Sequence, residues 1–192
     1  MRNIIFVSIV FLLCACQQTP LPIKPDLNLG ESVYNLNVAR INLSEEYDTS
    51  DKPPHVEKLS DVTPAEAVKQ WAAKRLLAVG QKDTMEVAII EASIVKRDLG
   101  KQKKGIEGFF TKEQTEEYVG KLEVELKIYN ESKPLPIARV HASANNSHTI
   151  AEDATIADRN ALYHQITLDL IHSLESELDK NIRQYFANYL NY

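Results

Sequence analysis

The sequence predicts an α+β domain. An antiparallel or mixed four-stranded sheet, in the order β-α-β-β-β-α, carries two helices on one face, and the C-terminal helix is long. Three observations support this reading. Apolar and polar residues alternate over residues 33–43, 118–128 and 137–144, the period of half-buried strands. Residues 85–95 are apolar on both alternating sets, as in a strand covered on both sides. Two further stretches repeat apolar residues at three- and four-residue spacing, the mark of amphipathic helices.

In the first strand, Val33, Asn35, Asn37, Ala39 and Ile41 share one face, and Tyr34, Leu36, Val38 and Arg40 share the other, mostly buried one. An acidic loop follows and closes on Pro53-Pro54. The first helix is strongly punctuated. Thr63 stands at the N-cap, Pro64 at the first helical position and Glu66 two further on, a capping box with the favoured proline. Val68, Trp71, Ala72, Leu76 and Val79 form its apolar stripe. Lys74 and Arg75 suit the C-terminal end of the dipole, and Gly80 suits the position just past the helix.

The central strand over residues 85–95 is followed by a stretch rich in cations: Lys96, Arg97, Lys101, Lys103 and Lys104, with Phe109 and Phe110 at its edge. It reads as a solvated loop. Its alternative use is contact with anionic headgroups or an acidic partner, while Phe109 and Phe110 either close the sheet edge or join that contact. In the next strand Tyr118, Gly120, Leu122, Val124, Leu126 and Ile128 point one way, and Lys121, Glu123, Glu125 and Lys127 point the other. Ala138, Val140, Ala142 and Ala144 then face inward, small enough to let a helix approach closely.

Residues 154–190 contain neither Gly nor Pro, and Thr155 with Asp158 resembles a capping box. Ile156, Tyr163, Ile166, Leu170, Leu174, Leu178, Ile182, Phe186 and Tyr189 hold the helical period. At 1.5 Å per residue such a helix is roughly 50 Å long, more than four strands cover, so it is expected to break once or to project. Its end is aromatic (Tyr185, Phe186, Tyr189, Tyr192). These rings pack on the first helix and the sheet rim, or they meet a membrane interface or partner groove.

Composition is consistent with one domain plus appendages: 192 residues, 44% hydrophobic and 26% charged. With 22 Lys+Arg against 27 Asp+Glu the net charge is −5, which argues against a nucleic-acid binder, since that needs a basic stripe. The appendage is N-terminal. Arg2 precedes an apolar run over residues 4–13, too short to span a bilayer but the length of a signal-peptide h-region.

The run closes on Leu13-Cys14-Ala15-Cys16, and these two cysteines are the only ones in the chain. This ending resembles the lipobox of bacterial lipoproteins, which are cut by the lipoprotein signal peptidase. The resemblance implies a signal peptide over residues 1–15 and acyl chains on Cys16. With Gln17 rather than Asp next, it implies the inner leaflet of the outer membrane in a diderm host. Residues 16–32, with Pro20, Pro22, Pro25 and Gly30, read as a tether, and residues 33–192 as one domain. The body, with its TPAEAVKQWAAKRL helix, is similar to uncharacterised proteobacterial lipoproteins of no assigned activity.

Chemical motifs are sparse. Five histidines (His55, His141, His148, His164, His172) show no ligand spacing, so no metal is expected. The glycines are scattered, so neither a P-loop nor a dinucleotide turn is expected, and no GxSxG or SxxK occurs. The expectation is therefore a non-enzymatic, cofactor-free lipoprotein. It would be an accessory or scaffolding subunit of an envelope complex, as in lipid transport or outer-membrane assembly. Its candidate contacts are Lys101, Lys103, Lys104, Phe109, Phe110, Tyr185, Phe186 and Tyr189. The alternative is a small-ligand or lipid binder with a pocket between the C-terminal helix and the strand lined by Ala138, Ala142 and Ala144.

Overall fold

In chain order the elements are β1 (Tyr34–Leu36), β2 (Arg40–Glu45), α1 (Pro64–Arg75), β3 (Leu76–Ala78), β4 (Thr84–Asp98), β5 (Gln114–Tyr129), β6 (Ala138–Ala151) and α2 (Ile156–Tyr185). The computed structural model describes residues 26–48, 50–100, 114–130 and 132–191. The main sheet has the order β2-β4-β5-β6. β2 runs parallel to β4, and the other pairs are antiparallel. Both helices cover one face, giving the mixed α+β arrangement that the periodicities predict.

The core side of the sheet follows from register. Met85, Val87 and Ile89 pair with Ile128, Leu126 and Val124, and these pair with Ala138, Val140 and Ala142. A β-bulge at Ile90 then shifts the alternation by one. Beyond it Ala92 and Ile94, opposite Leu122 and Gly120, return to the core side, while Glu91, Ser93, Val95 and Arg97 turn to the other. Strict alternation puts Ala92 and Ile94 on the face opposite Ile89; the bulge corrects that.

Two expected elements are divided. The strand over residues 33–43 breaks at Asn37, whose N–H leaves the ladder to donate to the Tyr189 carbonyl at 2.7 Å. β1 thereby pairs in parallel with β3, in a two-stranded sheet of its own. Tyr34, Leu36 and Val38 are buried, as their alternation indicates. α1 keeps its Thr63 cap, which accepts from the Glu66 N–H at 3.1 Å, but it stops at Arg75. Leu76 is extended, so Val79 lies beyond the helix and is 43% exposed. Gly80 is no helix cap. Its N–H donates to the Val38 carbonyl at 3.0 Å, and a Cβ there would come within 2.6 Å of the Val38 nitrogen.

α2 starts with the full capping box of Thr155 and Asp158. It breaks once, at Phe186, and the chain turns through residues 187–189 so that the Asn191 N–H reaches the Asn35 carbonyl at 2.8 Å. Tyr163, Ile166, Leu170, Leu174, Leu178 and Ile182 are buried along its length. Ile156, placed on the same stripe by period, is 79% exposed at the start of the helix.

Part of the segment read as tether belongs to the packed body. Leu27 and Leu29 are 1% and 7% exposed. The carbonyl of Leu29 accepts from Lys74 at 3.0 Å, that of Leu27 from His172 at 2.8 Å, and the N–H of Gly30 donates to Glu175. Arg75, 1% exposed, anchors this arrangement. Its guanidinium pairs with Glu175 and Asp179, donates to the Ser32 carbonyl and lies 5.5 Å from the centre of the Tyr34 ring. The hydroxyl of Tyr34 donates to Asp179 at 2.5 Å, and burial together with this bond pushes the phenol up to about 12. Removing one partner of such a buried pair costs about 3–5 kcal/mol.

Candidate functional site

The sheet face opposite the helices is open, and the bulge in β4 shapes it. Pairing of β2 with β4 ends at Glu45 and Ile89. The edge of β4 is covered again at Ile94, which receives the Val56 N–H at 2.9 Å and donates its own N–H to Glu57 at 3.2 Å. Between these two points Tyr47 and His55 wall the face. The hydroxyl of Tyr47 donates to Glu57 at 2.9 Å and lies 3.3 Å from His55 Nδ1. Glu57, 1% exposed, is thus held by a phenol, a backbone amide and the imidazole of His55 at 3.4 Å. Burial, then the bond to Glu57, drives the Tyr47 phenol well above its ordinary range, so Tyr47 is a neutral donor.

Two clefts meet on this face. One of about 230 Å³ is lined by Tyr47, His55, Glu91, Ser93, Val95, Arg97, Val119 and Lys121. The other, about 220 Å³, shares Glu91, Val119 and Lys121 and continues over Glu123, Ser143 and Asn145. Together they form a groove across β4, β5 and β6 with an apolar floor at Val95 and Val119. Most charges of the face are paired within the sheet. Arg139 lies 3.6 Å from Glu125, His141 2.8 Å from Glu123, Lys127 3.1 Å from Glu125 and Arg97 3.7 Å from Glu117. Among the described residues Lys121 and Glu91 make no ion pair, and Glu91 stands directly opposite Glu123. Like charges so placed are destabilising. Among the described residues the groove therefore offers the Lys121 ammonium, the Glu91 carboxylate and the Ser93, Ser143 and Asn145 side chains, chemistry suited to a polar partner rather than to an acyl chain.

The expected contact residues are not gathered in one place. Tyr185 is 57% exposed on the last turn of α2. Phe186 is fully buried and meets Tyr189 edge-to-face at 6.2 Å, with Tyr189 itself packed on the core. Phe186 is thus a core residue, and Tyr185, Phe186 and Tyr189 share no surface patch, while Tyr192 lies outside the described residues. Lys96 is drawn into the sheet by Glu116 at 2.8 Å. Lys101, Lys103, Lys104, Phe109, Phe110 and Cys16, the residue expected to be lipidated, lie outside the described residues.

The alternative pocket beneath the C-terminal helix is filled where Gly120 meets it. A Cβ on Gly120 would lie 2.7 Å from Ile166 and 2.9 Å from Leu170, and Ala142 and Ala144 are 0% and 7% exposed. The small residues are there to let α2 settle on the sheet. Among the described residues no group of three potential ligands is placed to hold a metal ion. In sequence Lys121 reads only as part of a wet strand face, and the signal of Glu91 and Ser93 is that they interrupt an otherwise apolar strand. Tyr47 and His55 left no local signal, because a loop brings them in.

The class is thus an α+β layer with one open, grooved sheet face. No family model matches the chain, and no curated protein matches it. Among solved structures the chain is similar to a minor lipoprotein from Acinetobacter baumannii, at 17% identity, covering 81% of this chain and 96% of that one with a TM-score of 0.40. It is also similar to the rare lipoprotein B from Shewanella oneidensis (11% identity, 78% and 97% covered, TM-score 0.42). A third is the uncharacterized lipoprotein B from Nitrosomonas europaea (12% identity, 81% and 94% covered, TM-score 0.37). These are loose likenesses of shape and bear on no residue's role.

Proposed function

We propose that this chain is a lipid-anchored, periplasm-facing envelope lipoprotein that serves as a non-enzymatic accessory or scaffolding subunit of an envelope complex. The observation that carries the reading is the apolar run over residues 4–13 closing on Leu13-Cys14-Ala15-Cys16. Cys16 takes the acyl chains, and two or three chains give the stable anchoring that one does not. Gln17 in place of Asp favours the inner leaflet of the outer membrane. Among the described residues no helix is long and apolar enough to cross a membrane.

The contact surface of this subunit is the open sheet face, where Lys121 and Glu91, without an ion pair among the described residues, stand among paired neighbours. Such a surface, charged at its sides and apolar at its floor, has the mixed character of a protein contact surface.

The test is affinity purification of the full-length protein, tagged at its C-terminus, from detergent-solubilised envelope. One envelope complex is expected to co-purify in stoichiometric amount, to be lost with Cys16→Ser and to be weakened by Lys121→Glu. Recovery of the chain alone, carrying a small molecule visible by mass spectrometry, overturns the subunit reading.

A further inference from the structure

The N-terminal segment does more than connect an anchor to a domain. Residues 27–34 run along α2, from His172 at Leu27, past Glu175 at Gly30, to Asp179 at Tyr34. On their other side lie Lys74 and Arg75 of α1. At about 100° per residue, His172, Glu175 and Asp179 stand roughly 100–160° round α2 from the Leu170–Leu174–Leu178 stripe that meets the sheet. The segment therefore lies in the outer groove between the helices, on the side of the molecule opposite the open sheet face.

We infer that this docking sets how the domain sits at the bilayer: the helical layer faces the membrane, and the grooved sheet face points away from it. The inference rests on Cys16 carrying the acyl chains. Ten Cα–Cα steps separate Cys16 from Asp26, and covalent geometry limits them to roughly 33–36 Å. To turn the sheet face toward the membrane, that chain would have to pass round a helix about 10 Å across and then the sheet beneath it. Those two layers, about 10 Å each, would use more than half of its reach and much of its conformational freedom. The helical layer needs no such detour. Burial of Leu27 and the bond from His172 to its carbonyl hold the exit point on the helices.

The experiment uses the full-length protein, purified with its own anchor and reconstituted in vesicles that carry a headgroup-attached quencher. A fluorophore is placed on Ser176→Cys, exposed on the outer side of α2, or on Lys121→Cys, exposed on the sheet face. Mass spectrometry of the same samples reports the acyl chains. The expected result is strong loss of emission at position 176 and little at 121. A long Gly/Ser insertion between Pro25 and Asp26 is expected to make the two equal. Equal or reversed quenching in an acylated chain with its natural tether overturns the orientation alone. A chain without acyl groups overturns the anchor and the orientation with it.

Discussion

Glu116 shows how a side chain that looks like a surface acid becomes a structural one. Burial by itself would raise its carboxyl, but Lys96, Tyr118 and Arg159 all donate to it and hold it down at about 2. Because its folded value is depressed below the ordinary carboxylate value, its contribution is present above about pH 4.5 and is lost as pH falls toward 2. Acid titration of stability by circular dichroism should show a decline in that window, and Glu116→Gln should flatten it while lowering stability at neutral pH. Trp71 is a second test at this scale. Its ring is fully buried on α1, and Trp71→Ala should cost about 3–5 kcal/mol in denaturant unfolding. Trp71 was legible in sequence from its stripe. Glu116 was not, since its three donors come from β4, from β5 and from α2.

The decisive contact between elements is that of α2 with the sheet. Gly120 is the point of closest approach, where Ile166 and Leu170 occupy the space a side chain would need. Gly120→Ala should therefore lower stability by about 1–3 kcal/mol through overpacking, read as a drop in Tm without loss of secondary structure. The same helix guards the sheet's edge. Asn181 donates to the His141 carbonyl at 2.9 Å, and Glu177 accepts the Ser143 N–H at 2.9 Å, so two outward groups of the edge strand β6 are satisfied. Helix and strand periodicities located both partners in the sequence. Nothing local announced that the helix would cap the strand, because that depends on how far α2 is offset along β6. The bulge at Ile90 was equally silent: one unpaired residue leaves no mark in composition, yet it turns Glu91, Ser93 and Arg97 to the open face.

At the scale of the whole molecule, the fold has two unlike sides. One is a helical layer with the N-terminal segment laid in its outer groove, and the other is a charged sheet face with a groove. Lipidation at Cys16 would turn this asymmetry into a direction relative to the membrane. The α+β class, the order of the large elements and the core stripes of β5, α1 and α2 are legible in the chain, because each rests on a period written in adjacent residues. So is the LCAC ending on which the anchor reading rests, since a leader motif is linear. The strand and helix boundaries around Asn37 and Arg75, the place of Leu27 and Leu29 in the core and the burial of Phe186 come from packing between distant segments. The groove too arises only in the folded chain, since Tyr47 and His55 wall it and three strands supply its floor. Those features are set by contacts between residues as far apart as 30 and 175, and Arg75 became a buried hub through the same long-range pairing. Periodicity records which face of an element is apolar; it carries no record of which distant element will satisfy its polar groups.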